Sequence, residues 1–133
     1  MSAEAPRFAV SVKGVVAHAG RVVLVKNERD EWELPGGRLE RDEAPAACVV
    51  REIAEELGLS VTAGPLLDCW VYQPLPARQV VIVTYGCRLA SAPTPRLSAE
   101  HNAFGWFAAP ELDALALPAG YRPAIARWLG GAP

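Results

Sequence analysis

The stretch GRLERDEAPAACVVREIAEELGL, Gly37 to Leu59, decides how the rest of the chain is read. From about Ala44 to Leu57 it is dense in helix formers. Pro45 sits where proline is tolerated, in the first helical turn, and Gly58 is placed to end the run as a C-terminal cap. At about 100° per residue, Ala46, Val49, Val50, Ile53, Ala54 and Leu57 fall on one side of this helix. Glu52, Glu55 and Glu56 fall on another at i, i+3 and i+4, so their carboxylates are neighbours that repel. A cation among them removes that cost, and hard divalent ions such as magnesium take carboxylate oxygens while keeping waters. On an arbitrary amphipathic helix, three glutamates are more often a solvated acidic face. Here they follow Leu34-Pro35-Gly36-Gly37, a turn whose glycines let backbone come close to a ligand or ion, which favours a site. Arg51 lies on the flank between the two faces, and a structural ion pair with Glu43 or another carboxylate of the stretch is expected. Glu43 belongs at the helix start, where the dipole favours negative charge, and reads as structural.

The spacing is more specific than the composition. Gly37 is followed after five residues by Glu43, after seven more by Arg51 and Glu52, then by Ile53, Glu55, Glu56, Gly58 and Leu59. This is the pattern G-x5-E-x7-R-E-U-x-E-E-x-G-U, with U aliphatic, which is the Nudix box, and the chain resembles the Nudix hydrolases. Trp32 ahead of the Leu-Pro-Gly-Gly turn extends the resemblance upstream, although it reads equally as core. One departure is Arg41-Asp42, where family members often carry Pro-Gly; it bears only on the shape of the loop.

The resemblance implies an α/β fold, an α/β/α sandwich with a mixed central sheet and the box as a loop-helix-loop. It implies hydrolysis of a diphosphate linkage in a nucleoside diphosphate derivative. Glu52 and Glu56 would be principal ligands of Mg2+, with Mn2+ as a substitute; Glu55 would assist directly or through water, and the carbonyl of Gly36 would complete the site. Gly37, Glu43, Arg51 and Gly58 would shape the box. Arg38 either touches phosphate or is an ordinary surface arginine. Glu100, six residues before Trp106, stands where some relatives carry an extra metal ligand or the base that deprotonates water, and the adjacent His101 is the alternative. Pro74, fifteen residues after Leu59, stands where ADP-ribose-hydrolysing relatives often have a proline; shaping a turn is its other reading. The expected substrate is therefore an ADP-ribose-type nucleotide sugar. The alternatives are a nucleoside triphosphate pyrophosphohydrolase, including one for oxidised nucleotides, and a regulatory domain that binds a nucleotide without cutting it. The intact box speaks against the last. Similar proteins are often homodimers.

At 133 residues with 51% hydrophobic composition, the chain is expected to form one domain over 1–133, with 1–6 as a frayed end. A net charge of −2 and a pI near 5.7 disfavour binding to long nucleic acid. Cys48, Cys69 and Cys87 lack C-x-x-C spacing and read as buried free thiols. The N-terminus does not look like a secretory signal and no apolar run is long enough to span a bilayer, so a soluble, cytoplasmic protein is expected.

Outside the box, the valine-rich runs Phe8 to Ala17 and Arg21 to Lys26 read as a hairpin around His18-Ala19-Gly20, with His18 exposed. Val61 to Ala63 and Leu66 to Tyr72 read as strands broken at Gly64-Pro65, and Gln73 to Ala77 as a loop. Gln79 to Leu89 reads as a strand covered on both faces. Ser91 to Arg96 is expected to be a loop, Phe104 to Phe107 a strand, Pro110 to Leu115 a helical turn and Tyr121 to Leu129 a closing helix.

Overall fold

The computed structural model describes residues 4–93 and 103–130. Its strands are β1 (Ala9–His18), β2 (Arg21–Lys26), β3 (Trp32–Glu33), β4 (Gly36–Arg38), β5 (Val61–Leu75), β6 (Arg78–Leu89) and β7 (Ala103–Phe107). The helices are α1 (Pro45–Leu57) and α2 (Arg122–Leu129), the latter preceded by 3-10 turns at Ala109–Ala114 and Ala119–Tyr121. Strand order is β3-β2-β1-β6-β5, with β4 also paired to β1 and β7 to β2. The β1–β6 pair is parallel and the other pairs are antiparallel, so the sheet is mixed, as expected.

Two apolar cores flank the sheet. The alternation of β1 divides them: Val12 and Val16 face Val49, Ile53 and Leu57 of α1, whereas Val15 joins Ile125 of α2, Leu24 and Tyr121. Gly14 gives α1 its close seat, because a Cβ there would lie 2.7 Å from Ile53 Cδ1. The closing helix buries Ala124 and Ile125, with Trp128 and Leu129 half-covered against the second core.

The β1–β2 hairpin turns at Ala19-Gly20, both at positive φ, the conformation that matches strand twist in a two-residue turn. His18 is exposed, as expected. Gly58 caps α1 at φ 68°, donating its N–H to the carbonyl of Ala54 at 2.9 Å. The buried stripe of α1 differs from the expected one: Ala54 is exposed, whereas Cys48 and Glu56 are buried. The helix is rolled toward β4, which brings a carboxylate into the interior.

Three strand boundaries also differ. Gly64-Pro65 does not break β5, because a register shift between Ala63 and Leu66 absorbs the proline, and β5 is an edge strand where a missing N–H is tolerated. The segment expected as a loop, Gln73 to Ala77, is strand as far as Leu75 and turns at Pro76-Ala77. In β6, Val80, Ile82 and Thr84 are buried while Val81 and Val83 are only half-buried, since the α1 core reaches Cys87 and Tyr85 but not those two valines. Cys48 and Cys87 are buried, which pushes each thiol up to about 12, chiefly by desolvation; Cys69 is exposed, contrary to expectation. Among the described residues no helix is long and apolar enough to cross a membrane.

Ile53→Ala removes the side chain that fills the notch above Gly14, and should cost about 2–5 kcal/mol. Urea denaturation with an unchanged m-value checks it; a loss below about 1 kcal/mol would contradict the packing of α1 on β1.

Candidate active site

The site begins with a fork in β1. One edge of β1 is taken by β6 along Ala9 to Val16, so β4 (at Ser11 to Lys13) and β2 (at Ala17 and His18) share the other. Between those two partners the edge opens, and the turn Leu34-Pro35-Gly36 is drawn into it. The carbonyl of Pro35 accepts the Gly14 N–H at 2.9 Å. Gly36 sits at φ 146°, and a Cβ there would fall 2.0 Å from the Val12 carbonyl oxygen. Only glycine fits that place. Its N–H donates to Glu56 Oε1 at 2.7 Å, and Glu56 is 2% exposed. At Gly37 a Cβ would lie 2.3 Å from Glu52 Oε2. Gly37 thus leaves room for the Glu52 carboxylate, while Gly36 lets the turn sit against Val12 and donate to Glu56.

The three glutamates are not equivalent, as a single acidic face would have made them. Glu56 is buried, Glu52 half-buried and Glu55 exposed. Arg51 ties two of them, Glu52 and Glu55, to Glu43. Its Nε and Nη2 donate to the two oxygens of Glu43 at 2.6 and 2.9 Å, and Nη1 donates to Glu52 at 3.0 Å and to Glu55 at 3.2 Å. This paired geometry suits guanidinium, and the ion pair expected between Arg51 and Glu43 is present. Glu43 departs from expectation in one respect: it precedes the N-cap Ala44, and α1 has no acidic residue in its first turn. Its charge is held by Arg51, whose hydrogen bonds pull the carboxyl down to about 2.

Gly36, Gly37, Arg38, Glu52, Glu55 and Glu56 line one open cleft of about 560 Å3, joined by Glu28 and Glu33. Glu28, Glu33 and Arg38 also wall a second cavity of about 170 Å3, which contains Pro74, Lys13 and Tyr72. Between cleft and cavity the charge changes sign, from five carboxylates with Arg38 to Lys13, Arg29, Arg38 and Arg78 with two carboxylates. The donors in the cleft are all oxygen, the set that hard divalent ions take. Among the described residues, no three His, Cys, Asp or Glu side chains already converge on one point. Glu52 is turned to Arg51 and Glu56 to the Gly36 N–H, so a bound cation would draw on oxygens held at the cleft wall.

Sequence reading missed Lys13, Asn27, Glu28 and Glu33, and it set Tyr72 aside because it comes too soon after the box for the tyrosine that dinucleoside polyphosphate hydrolases often carry. Asn27 is buried, and its Oδ1 accepts the N–H groups of Arg29 at 2.9 Å and Glu31 at 3.1 Å, folding the β2–β3 loop over the cavity. Tyr72 clamps the same loop by donating to Glu31 at 3.0 Å. The one available signal was Lys13, a charge inside the apolar run Val10 to Val16. Glu100 and His101 lie outside the described residues.

A family profile described as the NUDIX domain matches residues 5–128. A MutT-like protein of Streptomyces ambofaciens is 37% identical over 81% of this chain and 69% of its own length. An 8-oxo-dGTP diphosphatase of Proteus vulgaris is 43% identical over 38% of this chain and 45% of its own length. Among solved structures, an ADP-ribose pyrophosphatase from Streptococcus suis superposes with a TM-score of 0.70 at 27% identity, covering 93% of this chain and 91% of the other.

The Glu43–Arg51 pair has a pH signature. The folded-state pKa of Glu43 lies below its ordinary 4.5, so its contribution is fully present above pH 4.5 and is lost as pH falls toward 2. Melting temperature should therefore decline more steeply in this window for the wild type than for Glu43→Gln, with the two curves converging near pH 2. Parallel curves would remove the pair from the stability account.

Proposed function

This chain belongs to the NUDIX hydrolase family, and on that premise we propose that it cleaves a phosphoanhydride bond of a nucleoside diphosphate derivative laid across Arg38. The observation that carries the reading is the continuity of an acidic cleft with a cation-bearing, aromatic-walled cavity through one shared wall. Phosphates at that wall would meet Arg38 on one side and the box carboxylates on the other. We assign Glu52, Glu55, Glu56 and the Gly36 carbonyl to the binding of Mg2+, which when bound neutralises charge on phosphate oxygens. Arg51 would keep Glu52 and Glu55 oriented toward the cleft, and the Gly36 N–H would keep Glu56 in its buried place. Glu100 is proposed as the acceptor of the attacking water's proton, on its position in the sequence.

An ADP-ribose-type nucleotide sugar is the proposed substrate. Support comes from Pro74, which lines the cavity rather than a turn remote from it, and from the likeness to the Streptococcus suis enzyme. Water would attack one phosphorus, and AMP and ribose 5-phosphate would part. The second reading, a triphosphate cut to a monophosphate and pyrophosphate, draws on the likeness to the Proteus vulgaris diphosphatase.

Turnover of a nucleotide panel with Mg2+, followed by product identification, separates the two: a specificity constant for triphosphates well above that for ADP-ribose would reverse the choice. Glu56→Gln should lower kcat by about a hundredfold or more, because a neutral amide is a poor ligand for a hard cation. The fold should survive, since the amide oxygen still accepts the Gly36 N–H. Near-normal turnover of this variant at saturating Mg2+ would refute the assigned metal site. For Glu100→Gln, a pH–rate profile unchanged from the wild type would remove the proposed base.

A further inference from the structure

Lys13 is the least expected residue of the molecule. It lies in the middle of β1, between Val12 and Gly14, and is only 7% exposed. Its side chain enters the cavity beside the box, together with Ser11, over a surface that includes Val80, Ile82, Tyr72 and Tyr121. Burying an ammonium is costly unless something in the fold or in a ligand answers it. Its Nζ stands 3.9 Å from Glu33 Oε2, an ion-pair distance too long for a hydrogen bond. Glu33 is itself steadied by the Asn27 side-chain amide, whose Nδ2 is 3.4 Å away. The cavity therefore presents a cationic donor and an anionic acceptor side by side, next to apolar and aromatic surface.

Resting on the nucleotide reading above, we propose that Lys13 and Glu33 form a specificity-determining pair that reads the hydrogen-bonding edge of the substrate's nucleobase. A phosphate is a poor guest at this point, because the Glu33 carboxylate beside Lys13 would repel it. A base edge carries a ring nitrogen or carbonyl acceptor next to an N–H donor, a pattern complementary to a cationic donor beside an anionic acceptor. The ring would lie against the apolar patch of β6 and the tyrosines, as flat heteroaromatic groups do in such cavities. Arg38, shared with the acidic cleft, is left for the phosphates.

The test uses the whole protein without divalent metal and measures binding by calorimetry, for the four common 5′-nucleoside monophosphates and for ribose 5-phosphate, which lacks the base. The wild type should bind its preferred monophosphate at least about tenfold more tightly than ribose 5-phosphate, and Lys13→Met should shrink that ratio by about tenfold or more. Glu33→Gln tests the pair from the acceptor side and should shrink the same ratio; it decides the matter if thermal melting shows that Lys13→Met is unfolded. An unchanged ratio in a folded variant would make the pair merely structural and overturn the proposal. A loss shared equally by ribose 5-phosphate would make Lys13 a phosphate contact and overturn it as well. A wild type that does not prefer the nucleotide also overturns it, while the cleavage reading stands or falls separately on the turnover panel.

Discussion

The interaction on which the site depends is the hydrogen bond from the Gly36 N–H to the buried carboxylate of Glu56. A buried carboxylate without partners would carry a desolvation penalty of several kcal/mol, so its place must be prepared by backbone. The preparation is steric. Gly36 approaches the Val12 carbonyl more closely than any side-chain-bearing residue could, and this close approach sets the distance between the turn and α1. The same approach requires β1 to be free on that edge, which the parallel pairing with β6 allows by occupying only the opposite one. Sheet topology, glycine conformation and carboxylate burial are therefore one arrangement.

Arg51 supplies the second constraint. Carboxylates spaced three and four apart on α1 repel, and a guanidinium reaching Glu43, Glu52 and Glu55 offsets that repulsion without closing the cleft. Because guanidinium is planar and holds Glu43 through two parallel bonds, it also ties the loop before α1 to the middle of the helix. The loop between β4 and α1, which carries Glu40 and Glu43, is thus fastened to the helix that carries the glutamates.

The division of charge between cleft and cavity follows from these two constraints and from the β2–β3 loop. Asn27 folds that loop onto itself and Tyr72 fastens it to β5, which sets Glu28 at the wall shared by cleft and cavity and Arg29 in the cavity. Acidic cleft, shared wall with Arg38 and aromatic-lined cavity therefore follow one another in that order.

The stretch from Gly37 to Leu59 was enough to predict the helix, its capping glycine and the Arg51 ion pair, because those features rest on local periodicity and are written contiguously. The mixed sheet with a helix on each face was expected from the resemblance, not from the spacing of this stretch. The break expected at Gly64-Pro65 did not occur, because an edge strand can lose an N–H without losing a partner. The burial of Glu56 and the exposure of Ala54 were also not legible, since β1 and the Gly36 turn, which α1 packs against, lie elsewhere in the chain. Lys13, Glu33 and Tyr72 come from three separate strands, and no spacing relates them. Sequence alone determined where the helix begins and ends and that its glutamates are spaced as neighbours; tertiary structure alone decided what stands opposite them, because cross-strand register and packing, not local pattern, bring distant side chains into one cavity.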